Sequence, residues 1–500
     1  MVFNSFKKNK NTEIIFFLIL ILAFSLRLLA LDHFDTWGDE KLSVQEANGM
    51  LTFEMQNGNE FTKKDIEKNN TLHNVILSTI KGDGGNGILY IASLHFWTHL
   101  FGNSDFAVRF LSVIMGLLVV FLTYYLSLEL FTNKNLALLS MLLIAIHPHL
   151  ISFSQETRAY SFALFFTLLA TFLLFRMERN KNFNNANLIF YMLLAAASFL
   201  SHYSTVYIFF AHIFLLLFIF KIDWKSWKKI LLFSLIPISL ISIWLISYGF
   251  DGLNIIAARN LNYSKLTIID PTNSFYMRTG FYSICAGWAQ NILIFTGNTL
   301  INLGLRILIV LPLILIPIVI LYHGLKNADE IHLKKIKILI ILTISSLIYA
   351  TILSLISGHI ISFQHLYSIF STPYSILILS YSIFLLKDLS KSKWNYIHRT
   401  FIFLQFSILL FSTSLIYFGY DSHTKSRNYF IQTANDIEKA TIHADEDVIV
   451  SFKERETALE INKYISHESN NLRQKLDTNS NNSKISILYL KRNIRHVLLK

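Results

Sequence analysis

The chain has 500 residues, of which 53% are hydrophobic, 14% aromatic and only 15% charged, whereas an ordinary soluble domain carries about 25% charged residues. So few charges cannot cover a water-facing surface, so the composition excludes a soluble multidomain protein and predicts a chain that lies mostly in lipid. The formal net charge of +12 could by itself indicate a nucleic-acid partner. The single cysteine, Cys285, excludes an internal disulfide and a cysteine-based metal site.

The apolar runs predict an all-α polytopic membrane protein with about eleven transmembrane helices, since a crossing helix needs about 20 mostly apolar residues. The first run follows three lysines and has no small-residue cleavage site before Asp32, so we interpret it as a retained helix rather than a signal peptide. A shorter run at 88–101 is predicted to lie on the membrane surface or to re-enter it. The predicted spans are 14–31, 107–130, 136–152, 159–176, 187–201, 203–220, 230–249, 299–323, 337–357, 366–386 and 401–419.

The basic residues orient these spans. Six short segments on one side hold 19 Lys and Arg, whereas the short connections on the other side hold only Arg158. Because basic loops stay in the cytoplasm, the amino terminus is predicted to be cytoplasmic and the carboxyl terminus extracytoplasmic. The sequence therefore predicts a transmembrane domain at 1–419 with long outer loops at 32–105 and 250–298, and a small extracytoplasmic α/β domain at 420–500. The excess of basic residues is therefore explained by the orientation of the chain in a membrane, which is predicted to be the cytoplasmic (inner) membrane of a bacterium. No nucleic-acid partner is predicted.

Carboxylates gather on the outer side. The first outer loop has 11 Asp and Glu against 5 Lys. Its pair Asp39-Glu40 has three interpretations: ligands of a divalent cation, a general base with a supporting neighbour, or a solvated acidic loop. Glu156 and Arg158 lie on the same side in the predicted topology, where ionisable groups at a membrane boundary often mark a functional site. A mutual ion pair or an interface anchor is the alternative for these two residues.

Other polar residues near the ends of the spans have structural as well as functional interpretations. His147 and His149 can ligate a metal or pack at a helix end, and His202 in a tight outer turn has the same alternatives. Arg27 and Arg109 are predicted to reach the membrane interfaces or to pair with carboxylates, although either could face a lipid phosphate.

Four segments occur in an order that has a known counterpart: 37–44 (WGDEKLSV), 89–116, 154–160 (SQETRAY) and 201–203 (SHY). This ordered set resembles the membrane glycosyltransferases of family 39 type, which include the protein O-mannosyltransferases and the aminoarabinose transferases. A late motif of that family also has a counterpart, in which Tyr367 is retained and His365 is the candidate substitute for the usual Arg.

The resemblance implies an enzyme that takes a sugar from a polyprenyl-phosphate donor and transfers it, with inversion, to an acceptor hydroxyl on the outer face of the membrane. It implies Asp39 as the general base, Glu40 as its support, and Glu156 in a second acidic site near the acceptor or a metal. No cofactor is certain, and a divalent cation held by Asp39 and Glu156 is the candidate. The acceptor can be a glycan, a lipid or a protein. The candidate substrate-binding residues are Arg158, Tyr160, His202, Tyr203, Arg259, Lys265, Arg278, His365 and Tyr367.

Two other functions stay open. One is a polysaccharide polymerase or ligase that uses a pyrophosphate-linked donor, and the other is a lipid or solute transporter. A transporter would be expected to have pseudo-symmetric halves with polar residues in mid-helix, whereas the ionisable groups noted above gather at the outer ends of spans. The chain has no Walker motif and no Gly-x-Gly-x-x-Gly, which agrees with a lipid-linked rather than a nucleotide-linked donor.

Overall fold

The computed structural model divides the chain by its packing into two units, and each is described by itself. The helical unit comprises Met1–Leu29 with Arg109–Asp421, and the loop-and-tail unit comprises Ala30–Val108 with Ser422–Lys500. The structure describes residues 10–32, 38–52, 60–61, 70–269, 321–322, 330–357, 365–389, 403, 407, 448–452, 473–477, 485–489 and 495–497.

Helices dominate the described part of the chain. Short 3-10 turns occur at Met50–Thr52, Tyr203–Thr205 and Ile369–Ser371, and a π-helical turn occurs at Leu245–Gly249. The α-helices are α1 (Lys10–Leu28), α2 (Gly38–Ala47), α3 (Leu72–Asp83), α4 (Ile88–Phe101), α5 (Asp105–Phe131), α6 (Lys134–Ala145), α7 (Pro148–Ser154), α8 (Tyr160–Arg179), α9 (Asn185–Ser201), α10 (Val206–Phe218), α11 (Trp224–Phe233), α12 (Leu235–Trp244), α13 (Phe250–Ile269), α14 (Glu330–Ser357), α15 (His365–Ser368) and α16 (Thr372–Leu389).

The membrane-spanning pattern follows the apolar runs. Among the described residues, five helices are long and apolar enough to cross a membrane: α1, α5, α8, the continuous stretch Trp224–Leu261, and α14 within Glu330–Leu353. Shorter apolar helices occupy the predicted spans at 187–201, 203–220 and 366–386. The predicted spans at 299–323 and 401–419 lie almost entirely outside the described residues, so the number eleven stays a prediction.

The third predicted span is broken rather than continuous. A single helix was predicted over 136–152, but the structure has α6 and α7, inclined to each other by 59°. Pro148 explains the break, because proline has no N–H to donate and disfavours helical backbone at the preceding residue. His147 accordingly has φ −71° and ψ 117°. The last carbonyls of α6 are thereby left for donors outside their own helix.

The helix that contains the predicted span at 230–249 is longer than predicted. It begins with α11, passes through α12 and the π-helical turn, and continues as α13 to Ile269. The first part of the predicted outer loop 250–298 is therefore helical. None of the residues of α12 is buried, which suits a helix at the lipid-facing edge of the bundle.

A chain of hydrogen bonds joins four helices inside the helical unit. The two ring nitrogens of His212 on α10 lie 3.0 Å from the Tyr191 hydroxyl of α9 and 3.0 Å from Thr171 Oγ1 of α8. Thr171 Oγ1 in turn lies 2.6 Å from the Tyr374 hydroxyl of α16. All four side chains are buried. Because each hydroxyl needs its partner in a medium without water, this chain fixes how the four helices are rotated against one another.

The loop-and-tail unit contains α2, α3 and α4 and a five-stranded sheet. The strand Val448–Phe452 lies where the sequence predicted one. The strand order is β1-β3-β4-β2-β5, with β2 and β5 parallel and the other pairs antiparallel. The strands are β1 (Glu60–Phe61), β2 (Val448–Phe452), β3 (Arg473–Asp477), β4 (Ile485–Tyr489) and β5 (Arg495–Val497).

The first outer loop thus pairs with the tail through backbone hydrogen bonds, because β1 lies opposite Gln474 and Lys475 of β3. The residues between the tail strands lie outside the described residues. The α/β domain at 420–500, and the division of the chain at residue 419, stay predictions.

His95 predicts a pH dependence of the loop-and-tail unit. It is buried on α4, and its Nδ1–H donates to the Ala47 carbonyl at 2.9 Å. Burial lowers the pKa of His95 below its ordinary value; the carbonyl acceptor opposes this effect and the charge of His99 adds to it. The unfolded chain takes up a proton at about pH 6.5, whereas the folded unit does so only at lower pH. The free energy of unfolding should therefore fall as the pH falls from about 6.5 to the folded-state pKa.

The measurement is the thermal unfolding midpoint of the detergent-purified protein between about pH 7.5 and about pH 5.5. His95→Gln should flatten this dependence, and His99→Gln, at an exposed position on the same helix, should preserve most of it, because burial and not the His99 charge is the largest cause of the lowered pKa of His95. An unchanged slope in His95→Gln would assign the dependence to another group.

Candidate functional site

The acidic pair of the first outer loop lies in the first turn of α2. Carboxylates are favoured there because the first N–H groups of a helix lack partners within it. The two side chains differ in environment: Glu40 is 0% exposed, whereas Asp39 is half-buried. The Ser43 hydroxyl donates to the Asp39 carbonyl at 3.1 Å, which holds the turn. Asp39 is therefore the member of the pair that can reach a substrate.

The packing of α2 against α3 depends on a glycine. A Cβ atom at Gly82 would overlap the carboxylate of Glu46, a buried residue of α2. Glycine at this position lets the two helices approach closely, which fixes the helix that carries Asp39.

In the helical unit, Glu156 and Arg158 lie in the short turn between α7 and α8. The Arg158 backbone N–H donates to the Glu156 carbonyl at 2.8 Å, which closes the turn. Glu156 is buried, and the Ser152 hydroxyl donates to its Oε1 at 3.2 Å. Ser112 of α5 donates to the Arg158 carbonyl at 3.4 Å. The turn is thus held from both sides by hydroxyl groups.

A row of side chains connects four of the predicted substrate-binding residues. The Arg158 guanidinium carbon lies 5.8 Å from the centre of the Tyr160 ring, within cation–π range. The Tyr160 and His202 ring centres are 5.5 Å apart, and those of His202 and Tyr367 are 6.4 Å apart. Helix α8 begins at Tyr160 and α9 ends just before His202, so consecutive antiparallel helices bring these residues to the same end of the bundle. We call Arg158, Tyr160, His202 and Tyr367 the cation–aromatic row.

His202 has a defined tautomer when it is neutral. The backbone N–H of Ser204 donates to its Nδ1 at 3.2 Å. Nδ1 must then be the accepting nitrogen, which places the ring proton on Nε2. His202 can therefore donate a hydrogen bond from Nε2–H toward an oxygen ligand.

Tyr203 is held separately from the row. Trp244 Nε1–H, at the end of α12, donates to the Tyr203 hydroxyl at 3.0 Å, and the Tyr203 ring stacks on Phe199 with centres 5.0 Å apart. Trp244 immediately precedes the π-helical turn. This hydrogen bond connects α12 to the turn that carries His202.

A network around Arg27 joins α1 to the helix before Glu156. Arg27 is completely buried and donates to Ser154 Oγ at 3.2 Å and to the Ala145 carbonyl at 3.1 Å. Ala145 ends α6, so the guanidinium satisfies a carbonyl that the Pro148 break leaves without an intrahelical donor. Of the two predictions for Arg27, its burial contradicts the one in which the side chain extends to the membrane interface, and pairing with a carboxylate stays a prediction. The side chain stays buried because the broken helix offers acceptors closer than water.

Gln155 makes the reciprocal contact. Its Nε2 donates to the carbonyls of Leu26, Arg27 and Leu29 at 3.3, 3.2 and 2.8 Å, at the carboxyl end of α1. Gly116 of α5 makes room for the network, because a Cβ there would overlap Ser154 and lie 3.1 Å from Arg27 Nε. Sequence reasoning missed this positioning of the Glu156 turn, since its partners are more than a hundred residues apart. Arg109, predicted to reach an interface or to pair with a carboxylate, is buried as well.

The remaining candidates are more dispersed. Arg259 is half-buried on α13, on which Lys265 also lies, and both therefore belong to a helix and not to an irregular loop. His365 begins α15. Arg278 lies outside the described residues. The ring centres of His147 and His149 are 5.9 Å apart at the α6–α7 break.

Within the part of the chain that the structure describes, no group of three or more His, Cys, Asp or Glu is placed to hold a metal ion. Asp39 and Glu156 belong to different units. The cation predicted for this pair stays a prediction.

The sequence and the fold have known counterparts. Residues 87–247 match the family model described as dolichyl-phosphate-mannose-protein mannosyltransferase. The predicted resemblance is confirmed. The matched segment contains Glu156, Arg158, Tyr160 and His202 and begins after the acidic pair. No curated protein sequence matches the chain significantly.

Solved structures show the same fold at low sequence identity. The apo oligosaccharyltransferase from Archaeoglobus fulgidus matches with a TM-score of 0.52 and 13% identity, over 92% of this chain and 64% of that one. Apo ArnT from Cupriavidus metallidurans matches with a TM-score of 0.52 and 10% identity, over 91% of this chain and 85% of that one. The structure of that ArnT bound to undecaprenyl phosphate matches with a TM-score of 0.51 and 10% identity, over 92% and 85%.

This chain spans slightly less than two thirds of the length of the archaeal enzyme. At these identities the likeness concerns the fold. It makes the chain a mostly helical, multi-pass membrane protein with the architecture of these transferases.

Proposed function

We propose that this protein is a membrane glycosyltransferase that takes a sugar from a polyprenyl-phosphate donor and transfers it to an acceptor hydroxyl at the outer face of the bacterial inner membrane. The observation that carries the proposal is the cation–aromatic row at one end of the helical bundle. It supplies a cation, a ring face and a ring N–H where a lipid-linked headgroup would leave the bilayer. The family match over residues 87–247 and the undecaprenyl phosphate bound to the similar ArnT support the same donor class.

Asp39 is the proposed general base. Its half-buried carboxylate takes the proton of the acceptor hydroxyl while the acceptor oxygen attacks the anomeric carbon. The bond between that carbon and the phosphate oxygen breaks, and its electron pair leaves with the polyprenyl phosphate. Attack from the face opposite the leaving group inverts the anomeric centre. Glu40, enclosed in the same helical turn, supports the geometry of α2.

The departing phosphate gains negative charge and needs preorganised donors. Arg158 supplies a guanidinium, which can donate two parallel N–H bonds to a phosphate. His202 supplies its Nε2–H, and the Tyr160 ring lies between the two groups. Glu156, held by Ser152, is the proposed second acidic residue, near the acceptor or a metal.

The test is transfer by the purified protein reconstituted in liposomes with undecaprenyl-phosphate-linked sugars. We expect sugar transfer with release of undecaprenyl monophosphate. Consumption of only pyrophosphate-linked donors would instead indicate a polymerase or ligase, and uptake of donor or solute without transfer would indicate a transporter. Either result would overturn the proposal.

Arg158→Gln should lower kcat/KM for the donor by about tenfold or more, because it removes a charge-assisted contact to the leaving phosphate. The measurement is initial rate against donor concentration in the same liposomes. Arg179→Gln is the matched control, since it removes an arginine at the other end of α8. Equal effects of the two changes would contradict the phosphate-binding role of Arg158.

A further inference from the structure

The helical unit has a cavity of about 420 Å³ between α8 and α9, near the turn that connects them. Its lining on α8 begins at Leu169 and its polar end lies around Arg176, sixteen positions or about 24 Å along the helix from Tyr160 of the cation–aromatic row. The cavity is thus separate from the site proposed for sugar transfer.

Both walls of this cavity become more polar toward the turn that connects α8 and α9. On α8 the lining residues pass from Leu169 and Phe172 to Arg176 and Asn180 toward the end of the helix. On α9 they pass from Phe190 to Asn187 toward its beginning. The Phe190 side chain is 49% exposed at the surface of the bundle. An apolar part beside a polar, cationic part is the arrangement found at the boundary between hydrocarbon and headgroups.

The charges around the cavity favour an anion. Two carboxylates lie nearby, and each already has partners: Glu129 is 2.6 Å from Arg179 Nε, and Glu178 lies 3.0 Å from Lys181 Nζ and 2.8 Å from Lys334 Nζ.

Arg176 interacts electrostatically with Glu129 but makes no side-chain hydrogen bond or ion pair within the described residues. Its half-buried guanidinium therefore has donors available beside the apolar wall.

We propose that this cavity binds an anionic membrane phospholipid. The phosphate group lies on the guanidinium of Arg176 beside the Asn180 amide, and one acyl chain follows the apolar wall formed by Phe172 and Phe190. The site is independent of the sugar-transfer proposal, since the bound lipid is a constituent of the bilayer and not the sugar donor. The lipid also fills the space between α8 and α9, whose opposite ends lie at Tyr160 and His202 of the cation–aromatic row.

The experiment is native mass spectrometry of the full-length protein in detergent with added phosphatidylglycerol. Wild-type protein should retain bound phosphatidylglycerol. Arg176→Gln should weaken this binding by about tenfold, because a hydrogen bond between a guanidinium and a phosphate is charge-assisted. The control Arg179→Gln removes a neighbouring cation that is already paired with Glu129, and its effect should stay within about threefold.

A second variant keeps the test informative if Arg176→Gln folds poorly. Asn180→Trp places bulk in the cavity from an exposed position and should also reduce binding of phosphatidylglycerol. Three outcomes would overturn the proposal: wild-type binding in both variants, equal loss in Arg176→Gln and Arg179→Gln, or displacement of the lipid by inorganic phosphate alone.

Discussion

Replacing Asp39 with Asn should lower the rate of sugar transfer by about 10³-fold, within the range that a general base contributes. Asn has nearly the shape of Asp but cannot accept the acceptor's proton. Because Asp39 is half-buried in the first turn of α2, the change should cost the fold little, about 0.3–1 kcal/mol from the lost charge at the helix start. The measurement is the transfer rate in liposomes together with the thermal unfolding midpoint.

Two further variants make this result specific. Asp32→Asn removes an exposed carboxylate of the same acidic segment and should leave the rate near the wild-type value. Glu40→Gln alters a fully buried side chain and should lower the unfolding midpoint as well as the rate. A wild-type rate in Asp39→Asn would exclude Asp39 as the general base. It would not contradict the phosphate-binding role proposed for the cation–aromatic row.

Arg27→Met should destabilise the helical unit by about 3 kcal/mol, since it leaves the Ala145 carbonyl and the Ser154 hydroxyl without a charged donor inside the bundle. It should also lower kcat with little change in the donor KM. The reason is that Arg27 does not touch the substrate in our proposal but holds the turn that carries Glu156 and Arg158. The measurements are the thermal unfolding midpoint in detergent and donor-dependent rates in liposomes.

A double-mutant cycle separates positioning from general loss of packing. If Arg27 acts through Ser154, Arg27→Met and Ser154→Ala should couple by about 0.5–3 kcal/mol. Arg27→Met combined with Thr171→Val, in the separate His212 network, should be additive. Wild-type stability and kcat in Arg27→Met would contradict the role of the network.

The transmembrane pattern was predictable because it depends on local composition. Spans such as 107–130 and 159–176 have long apolar runs, and the structure has helices there. The break in 136–152 also has a local cause in Pro148. It was not predicted, because the apolar residues on both sides of Pro148 form one run that is long enough for a single span. Helix α13 was missed for the opposite reason, because polar residues such as Asp251 and Asn254 resemble a loop although the backbone stays helical.

The site could be predicted only as separate motifs. The segments at 154–160 and 201–203 were recognised by resemblance, but the contacts of Tyr160 with His202 and of His202 with Tyr367 depend on how distant helices pack. The same holds for Arg27, whose partners Ala145 and Ser154 are 118 and 127 residues away. A single sequence has no local pattern that encodes such pairs.

The π-helical turn at Leu245–Gly249 has a consequence for changes in chain length. A π turn holds one residue more than an α turn. Deleting one residue within it would restore a regular helix and leave the rest of the stretch facing as before, because five residues of a π turn and four residues of an α-helix both complete about one turn. Arg259 would then keep its neighbours, whereas a one-residue deletion in the regular helix after the turn would rotate the residues beyond it by about 100°. The π turn is thus the place in this stretch where one residue can be removed without redirecting the polar residues of α13, and the Trp244–Tyr203 hydrogen bond before it stays intact.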